Sequence, residues 1–377
     1  MGGQISFHHA TFLDFYSNFA FFFTQLEDYW LRYGYLKTRD SLSFSSNFAG
    51  LWIDTDNPLI PAAMSHKPQS LRANVTSHLL HQVCKFWQLL KHQEIPPFVD
   101  SQGHAFTMNQ FRNLFNTSRI PRNGEDCLDI HFRTEDEAEA CPNHVVVLCN
   151  GHFYSIGSLE HPDGSLATPA EIEAALRKIE TESQEKEQGI GPLSCLDRES
   201  WARHYAALQQ SNPIEMELLS SAICLVILSD QEPQNHGEQL KSTYFNDGQN
   251  VWTDKSLTFV AFKNGAIGSQ SEHSPFDGMV TAEACLFCLK GLAKSDLSKS
   301  NYCNELPVTR LHFKLNQELC TEIKLASESL LDRAVNLEMN YHVFSTFGKE
   351  RIKSLGMHPD AFFQVMLQAA VYKTHQR

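Results

Sequence analysis

Glu272-His273-Ser274-Pro275-Phe276-Asp277-Gly278 is the stretch that decides how this chain is read. Upstream of it, Ser256–Phe262 is an apolar run with the character of a buried strand. Asn264-Gly265-Ala266-Ile267-Gly268 follows as a Gly-rich turn. Downstream, Val280–Leu292 carries a helical pattern. The histidine therefore falls at a strand-to-helix junction, where rigid elements present a loop to a cleft. An imidazole titrates near neutrality, with an unperturbed pKa of about 6.5, so His273 is the candidate general base. Asp277, four residues on, can orient the ring or fix the local turn, and Gly278 permits a tight exit. A lone histidine in a turn is more often structural than catalytic, so the rest of the sequence has to decide between the two.

The flanking segments mix two periodicities. Helices are expected within 24–40, around Trp30, Tyr33 and Tyr35, and over Thr76–His92, where Leu79, Leu80, Val83, Phe86, Trp87 and Leu90 recur at three and four. His144–Cys149 is a continuous β-branched run and predicts a buried strand, followed by a turn at Gly151 and a short strand at Phe153–Ile156. Thr168-Pro169-Ala170-Glu171 is a helix start, with a capping Thr, Pro in the first turn and Glu three after the cap. That helix should run to about Glu180, with Glu180–Gln188 as an exposed linker. Further strands are expected at Ala222–Leu228 and Val308–Leu315, and further helices at Cys320–Leu337 and Ala361–Tyr372. The mixture predicts an α/β or α+β fold. No internal repeat or low-complexity segment is present.

With 377 residues and 42% hydrophobic content, the chain is long enough for a sizeable core. A formal net charge of -13 argues against nucleic acid as a partner, while leaving room for a local basic pocket. Several of the ten cysteines, such as Cys149 and Cys224, sit within apolar runs and read as reduced, buried thiols. Cys285 and Cys288 form a lone CxxC inside an expected helix, which calls for neither metal nor redox chemistry. No run of eighteen apolar residues exists, so no transmembrane helix is expected. Met1–Ser6 matches a short myristoylation pattern without a second anchor, and Phe12–Phe23 is aromatic without a basic lead. His78, His81 and Cys84 recur on the face of an amphipathic helix and read as core. The triplets Asn74-Val75-Thr76 and Asn116-Thr117-Ser118 carry no weight without a secretion signal.

Five stretches in order settle the status of the histidine: Met108–Pro121, Pro142–Gly151, Trp252–Val260, Glu272–Gly278, and Phe347-Gly348-Lys349 leading into His358–Phe362. This series, covering roughly residues 26–377, resembles the choline/carnitine acyltransferase family. The resemblance implies a CoA-dependent acyltransferase architecture of two chloramphenicol-acetyltransferase-like α/β domains with a tunnel between them. It implies direct attack of an alcohol on a thioester, with no covalent acyl-enzyme. His273 matches the family's catalytic base and Asp277 the carboxylate after it. Lys349, Lys353, Ser354, Leu355, Gly356, Met357, His358, Pro359 and Asp360 match the CoA-binding segment. A 3′-phosphate and a pyrophosphate need cations, and two lysines four apart share one face of a helix. Acyl-CoA and carnitine are the implied partners, with medium-chain acyl groups. CoA enters as a substrate, with no permanently bound cofactor and no metal. A monomer is expected, in the peroxisome by resemblance or alternatively in the cytoplasm, although His375-Gln376-Arg377 is not a peroxisomal address.

On this reading residues 1–24 are an atypical leading segment, 25–310 the N-terminal acyltransferase domain, and 311–377 the start of a C-terminal domain. After the last expected helix the family continues with a Tyr-Glu-Ser-Ala-type segment, whose Tyr and two Thr residues hold the carboxylate of carnitine. A Ser-Thr-Ser segment near the oxyanion follows later. Neither occurs here, so no carnitine-binding residue is assigned, the second domain is expected to be incomplete, and a truncated, inactive product is one expectation. Choline acetyl transfer and a non-catalytic acyl-CoA-binding role are the alternatives.

Overall fold

The computed structural model describes residues 27–52, 70–99, 102–105, 107–295, 297 and 304–376. The myristoylation pattern and the aromatic segment Phe12–Phe23 lie outside them. The chain divides into two compact units, Met1–Glu338 and Met339–Arg377.

In the first unit, β1 (Phe48–Leu51), β8 (Ile267–Ser271), β7 (Thr258–Phe262), β6 (Leu225–Ser229), β4 (Val145–Cys149), β5 (His152–Ile156) and β9 (Val308–Leu311) form one sheet in that order. β4, β6 and β7 are parallel neighbours and the other pairs are antiparallel. A separate hairpin joins β2 (Thr117–Ile120) to β3 (Cys127–Ile130). The central strands are apolar on both faces because both faces are covered. Val145, Val147 and Cys149 of β4 join one core, with Phe259 and Ala261 of β7. Val146 and Leu148 join the other, with Val260 and Phe262.

Helices Leu71–Lys91, Pro169–Glu182 and Gly278–Leu292 supply the first core with Trp87, Leu176, Val280 and Cys288. Helices Arg198–Ser211, Pro213–Ser221 and Gln317–Val335 supply the second with Trp201, Leu219 and Ile323. The layering is helix, mixed sheet, helix, an α/β arrangement. The expected capping box forms: Thr168 accepts from the backbone N–H of Glu171, and the Glu171 carboxylate accepts in return from the backbone N–H of Thr168. The expected Thr76–His92 helix starts five residues earlier, at Leu71, where Ser70 accepts from the N–H of Ala73. The strand expected over Ala222–Leu228 runs from Leu225 to Ser229, and that over Val308–Leu315 stops at Leu311.

The expected Gly-rich turn is shorter than 264–268. It closes at Asn264-Gly265, with Gly265 at φ +84°, and Gly268 is already inside β8. A Cβ on Gly268 would lie 2.0 Å from Thr243 Oγ1, so glycine lets helix His236–Phe245 pack directly on this strand. The first unit extends through Glu338. The second unit holds two helices, Lys349–Ser354 and Pro359–His375, with no buried residue in either. Among the described residues, no helix is long and apolar enough to cross a membrane.

Candidate active site

β8 ends at Ser271 and helix Gly278–Leu292 begins seven residues later, so the seam between them is the loop that carries His273. The imidazole is half-buried between two rings. Phe48 of β1 meets it edge-on at 4.8 Å between centroids, and Tyr35 lies at 5.3 Å. Nδ1 is 3.0 Å from the carbonyl oxygen of Phe276. A carbonyl only accepts, so that nitrogen carries the proton and Nε2 of the neutral ring keeps its lone pair. A single backbone contact thus sets the tautomer that a general base requires.

The loop is pinned from behind by a buried carboxylate. Glu272 is fully buried; one oxygen accepts from Arg119 Nη1 at 3.1 Å and the other from the backbone N–H of Ser274 at 3.1 Å, with the Ser274 hydroxyl also donating to it. Arg119, on β2, is likewise fully buried and continues to Asp126 at 2.7 Å. Asp126 accepts from Arg198 at 2.7 Å and from Arg39 at 2.5 Å. Arg198 reaches Asp254 at 2.6 Å, whose second oxygen accepts from the Trp201 indole. Three arginines and three carboxylates balance, which is what such burial requires. Burial pushes the Asp254 carboxyl up against the opposing pull of Arg198. Despite its own desolvation, Arg198 is held above its ordinary value by Asp254 and Asp126.

From the front, Asn113 Nδ2 donates to the carbonyl of Pro275 at 3.1 Å, and the Asp277 N–H donates to Gln110 Oε1 at 2.9 Å. The Asp277 carboxylate is exposed and faces Gln110 Nε2 at 3.4 Å. The group at the ring nitrogen is the Phe276 carbonyl, and the Asp277 side chain, at the N-cap of helix Gly278–Leu292, makes no capping hydrogen bond. Burial, and then the charge of Asp277, push the Tyr35 phenol above its ordinary value. Tyr35, Phe48, Arg119 and the role of Glu272 were not foreseen. Tyr35 and Phe48 look like core aromatics in sequence, and only the paired burial of Arg119 and Glu272 marks them.

The residues matched to the family's CoA-binding segment lie in the second unit. Lys349 opens its first helix and Lys353 sits one turn on, so the two ammonium groups share a face. Lys353 Nζ lies 3.9 Å from Glu350, an exposed pair of little energetic weight. Ser354 Oγ donates to the carbonyl of Arg351 at 2.7 Å. Leu355 and Met357 are exposed around Gly356, whose φ of +73° ends the helix in the left-handed conformation. His358 caps the next helix, with Pro359 and Asp360 in its first turn.

The remaining sequence features are structural. Burial pushes Cys285 up to about 12 and Cys288 well above its ordinary value, so neither is a thiolate. His81 Nδ1 bonds the Ala167 carbonyl at 2.8 Å, and Cys84 is buried. Asn116 binds the Pro142 and Ser221 carbonyls from a fully buried position.

The His273 loop thus presents a base-competent tautomer at the seam of a helix–sheet–helix layer. The family model for choline/carnitine O-acyltransferases matches residues 23–377. The chain belongs to this family of acyltransferases. It is 30% identical to the peroxisomal carnitine O-octanoyltransferase of Bos taurus and 29% identical to that of Homo sapiens, each over 93% of this chain and 58% of the relative. It is 29% identical to the choline O-acetyltransferase of Homo sapiens, over 93% of this chain and 48% of the relative. The chain therefore spans about half the length of the curated relatives it matches.

Proposed function

We propose that this chain takes part in reversible transfer of a medium-chain acyl group between CoA and carnitine, with His273 as general base. The observation that carries this is the Nδ1 contact to Phe276 O, which leaves Nε2 free to accept a proton. Nε2 removes the hydroxyl proton as the alcohol oxygen attacks the thioester carbonyl. The tetrahedral adduct collapses with loss of the CoA thiolate, which takes the same proton from the imidazolium. The reverse reaction begins with Nε2 deprotonating the CoA thiol. Lys349 and Lys353 are assigned to the CoA phosphates, and Ser354–Asp360 to the loop along the cofactor. Carnitine rather than choline is favoured by the octanoyltransferase relatives; the choline acetyltransferases, similar at 28–29%, make choline the second reading. The names of the former also favour the peroxisome.

The test is thiol release from octanoyl-CoA with L-carnitine or choline, comparing the chain with its His273→Ala variant. Carnitine-dependent release abolished by the substitution is expected. Release that survives it removes His273 as the base, and a choline preference exchanges the acceptor. An intact chain that binds octanoyl-CoA without turning it over would leave only an acyl-CoA-binding role.

A further inference from the structure

Arg119 uses all three directions of its guanidinium on different parts of the site. Nη1 donates to Glu272, the residue before His273, at 3.1 Å. Nη2 donates to the carbonyl of Tyr35, whose ring stands beside the imidazole, at 2.8 Å. Nε donates to Asp126, in the segment between β2 and β3, at 2.7 Å. The fork is planar and rigid, so fixing any one of these contacts fixes the direction of the other two.

Glu272 carries the constraint further. Its second oxygen accepts from Ser274, so one carboxylate holds the chain on both sides of His273. A guanidinium needed only to balance charge could have met Glu272 and Asp126 alone. The third bond, to the Tyr35 carbonyl in the short π-helix Trp30–Leu36, is surplus to charge balance and ties the two segments flanking the imidazole to each other.

We propose that Arg119 is a positioning residue that holds the His273 loop and helix Trp30–Leu36 as one rigid body, and thereby keeps His273 in the Nδ1–H tautomer. This rests on the general-base reading of His273. Small displacements of a catalytic group are costly, on the order of a hundredfold in rate per ångström. A fully buried three-way contact is a means of preventing them.

The tautomer is read without turnover, by long-range 1H–15N correlation on the 15N-labelled chain, with His273 assigned from a His273→Gln variant. In the unaltered chain Nδ1 should show the shift of a protonated nitrogen and Nε2 that of an unprotonated one. In Arg119→Met and in the isosteric Glu272→Gln this pattern should be lost to a mixture of tautomers. Arg119→Lys should not restore it, because one ammonium cannot reach three partners. Arg72→Met supplies the control. It breaks a different, partly buried ion pair, with Glu180 at 2.8 Å, and should lower stability while leaving the His273 signals unchanged. If Arg119→Met does not fold, Glu272→Gln carries the test. An unaltered chain with the proton on Nε2 overturns the general-base reading itself. A pattern that persists in the Arg119 and Glu272 variants, is retained by Arg119→Lys, or is lost equally in Arg72→Met overturns the positioning role alone.

Discussion

The loop Glu272–Gly278 and the segment Lys349–Asp360 are both matched to functional parts of the family, yet the chain treats their charges in opposite ways. In the first, Glu272 and its partner Arg119 are fully buried, and Arg119 is paired in turn with Asp126. In the second, Lys349 and Lys353 stand on an exposed helix with one loose contact, to Glu350. A group that must point at a reacting atom gains from low dielectric and fixed direction. A group that must meet a mobile, multiply charged phosphate ligand gains from staying hydrated and free to adjust. The contrast separates orientation from attraction, and each side of it can be broken independently.

The largest effect is expected from the buried side. Arg119→Met leaves Glu272 and Asp126 without their shared cation, and removal of one partner from a buried ion pair costs about 3–5 kcal/mol. Urea unfolding should show a midpoint lowered accordingly. A cost below about 1 kcal/mol would mean that this network behaves like a surface pair and would erase the contrast.

Lys255 sharpens the comparison because it is a lysine on the buried side without a close carboxylate. It is fully buried, with Nζ donating to the Ser220 carbonyl at 2.6 Å. Desolvation pushes its pKa down to about 7, against the opposing influence of Cys224 and Asp129. Between that value and the ordinary 10.5 the unfolded chain binds a proton that the folded chain does not, so stability rises with pH. The slope from this group approaches about 1.4 kcal/mol per pH unit. Above about pH 8 the trend reverses, because thiols ionise in the unfolded chain while burial holds Cys84, Cys149, Cys195, Cys224, Cys285 and Cys288 protonated in the folded one. Stability measured from about pH 7 to about pH 8 should therefore climb, and Lys255→Met should flatten the climb. A flat profile in the unaltered chain would show that Lys255 stays charged in the interior.

How much of this was legible in the sequence follows the same division. β4 and β7 announced themselves because they are apolar on both faces, and the helix at Pro169 because Thr168 and Glu171 spell out its cap. β8, Ile-Gly-Ser-Gln-Ser, is as buried as either but is composed of small and polar residues, so no periodicity betrays it. Helices Arg198–Ser211 and His236–Phe245 were missed although Asp197 and Asn235 cap them, because their apolar positions are sparse. His273 was found from its motif, and Tyr35, Phe48 and Arg119 were not. Their relation to it is created by contacts between residues 84 to 238 positions apart in the chain, and a sequence read along its length holds no trace of such distances.

The smallest effect on folding is expected at the exposed lysines. Neither helix of the second unit buries a residue, and the Lys353–Glu350 contact at 3.9 Å is the kind of surface pair that contributes little. Lys349→Gln combined with Lys353→Gln should therefore shift stability by no more than about 0.5 kcal/mol. Binding should respond quite differently. If the two ammonium groups meet the CoA phosphates, affinity for CoA should fall on the order of tenfold at low ionic strength, and the difference should shrink as added salt screens the exposed charges. Titration with CoA and with 3′-dephospho-CoA at two salt concentrations separates the contacts. Loss of discrimination between the two ligands in the variant assigns the lysines to the 3′-phosphate, whereas retained discrimination assigns them to the pyrophosphate. Unchanged affinity for both ligands would remove Lys349 and Lys353 from the CoA site and leave their exposure with no functional reading.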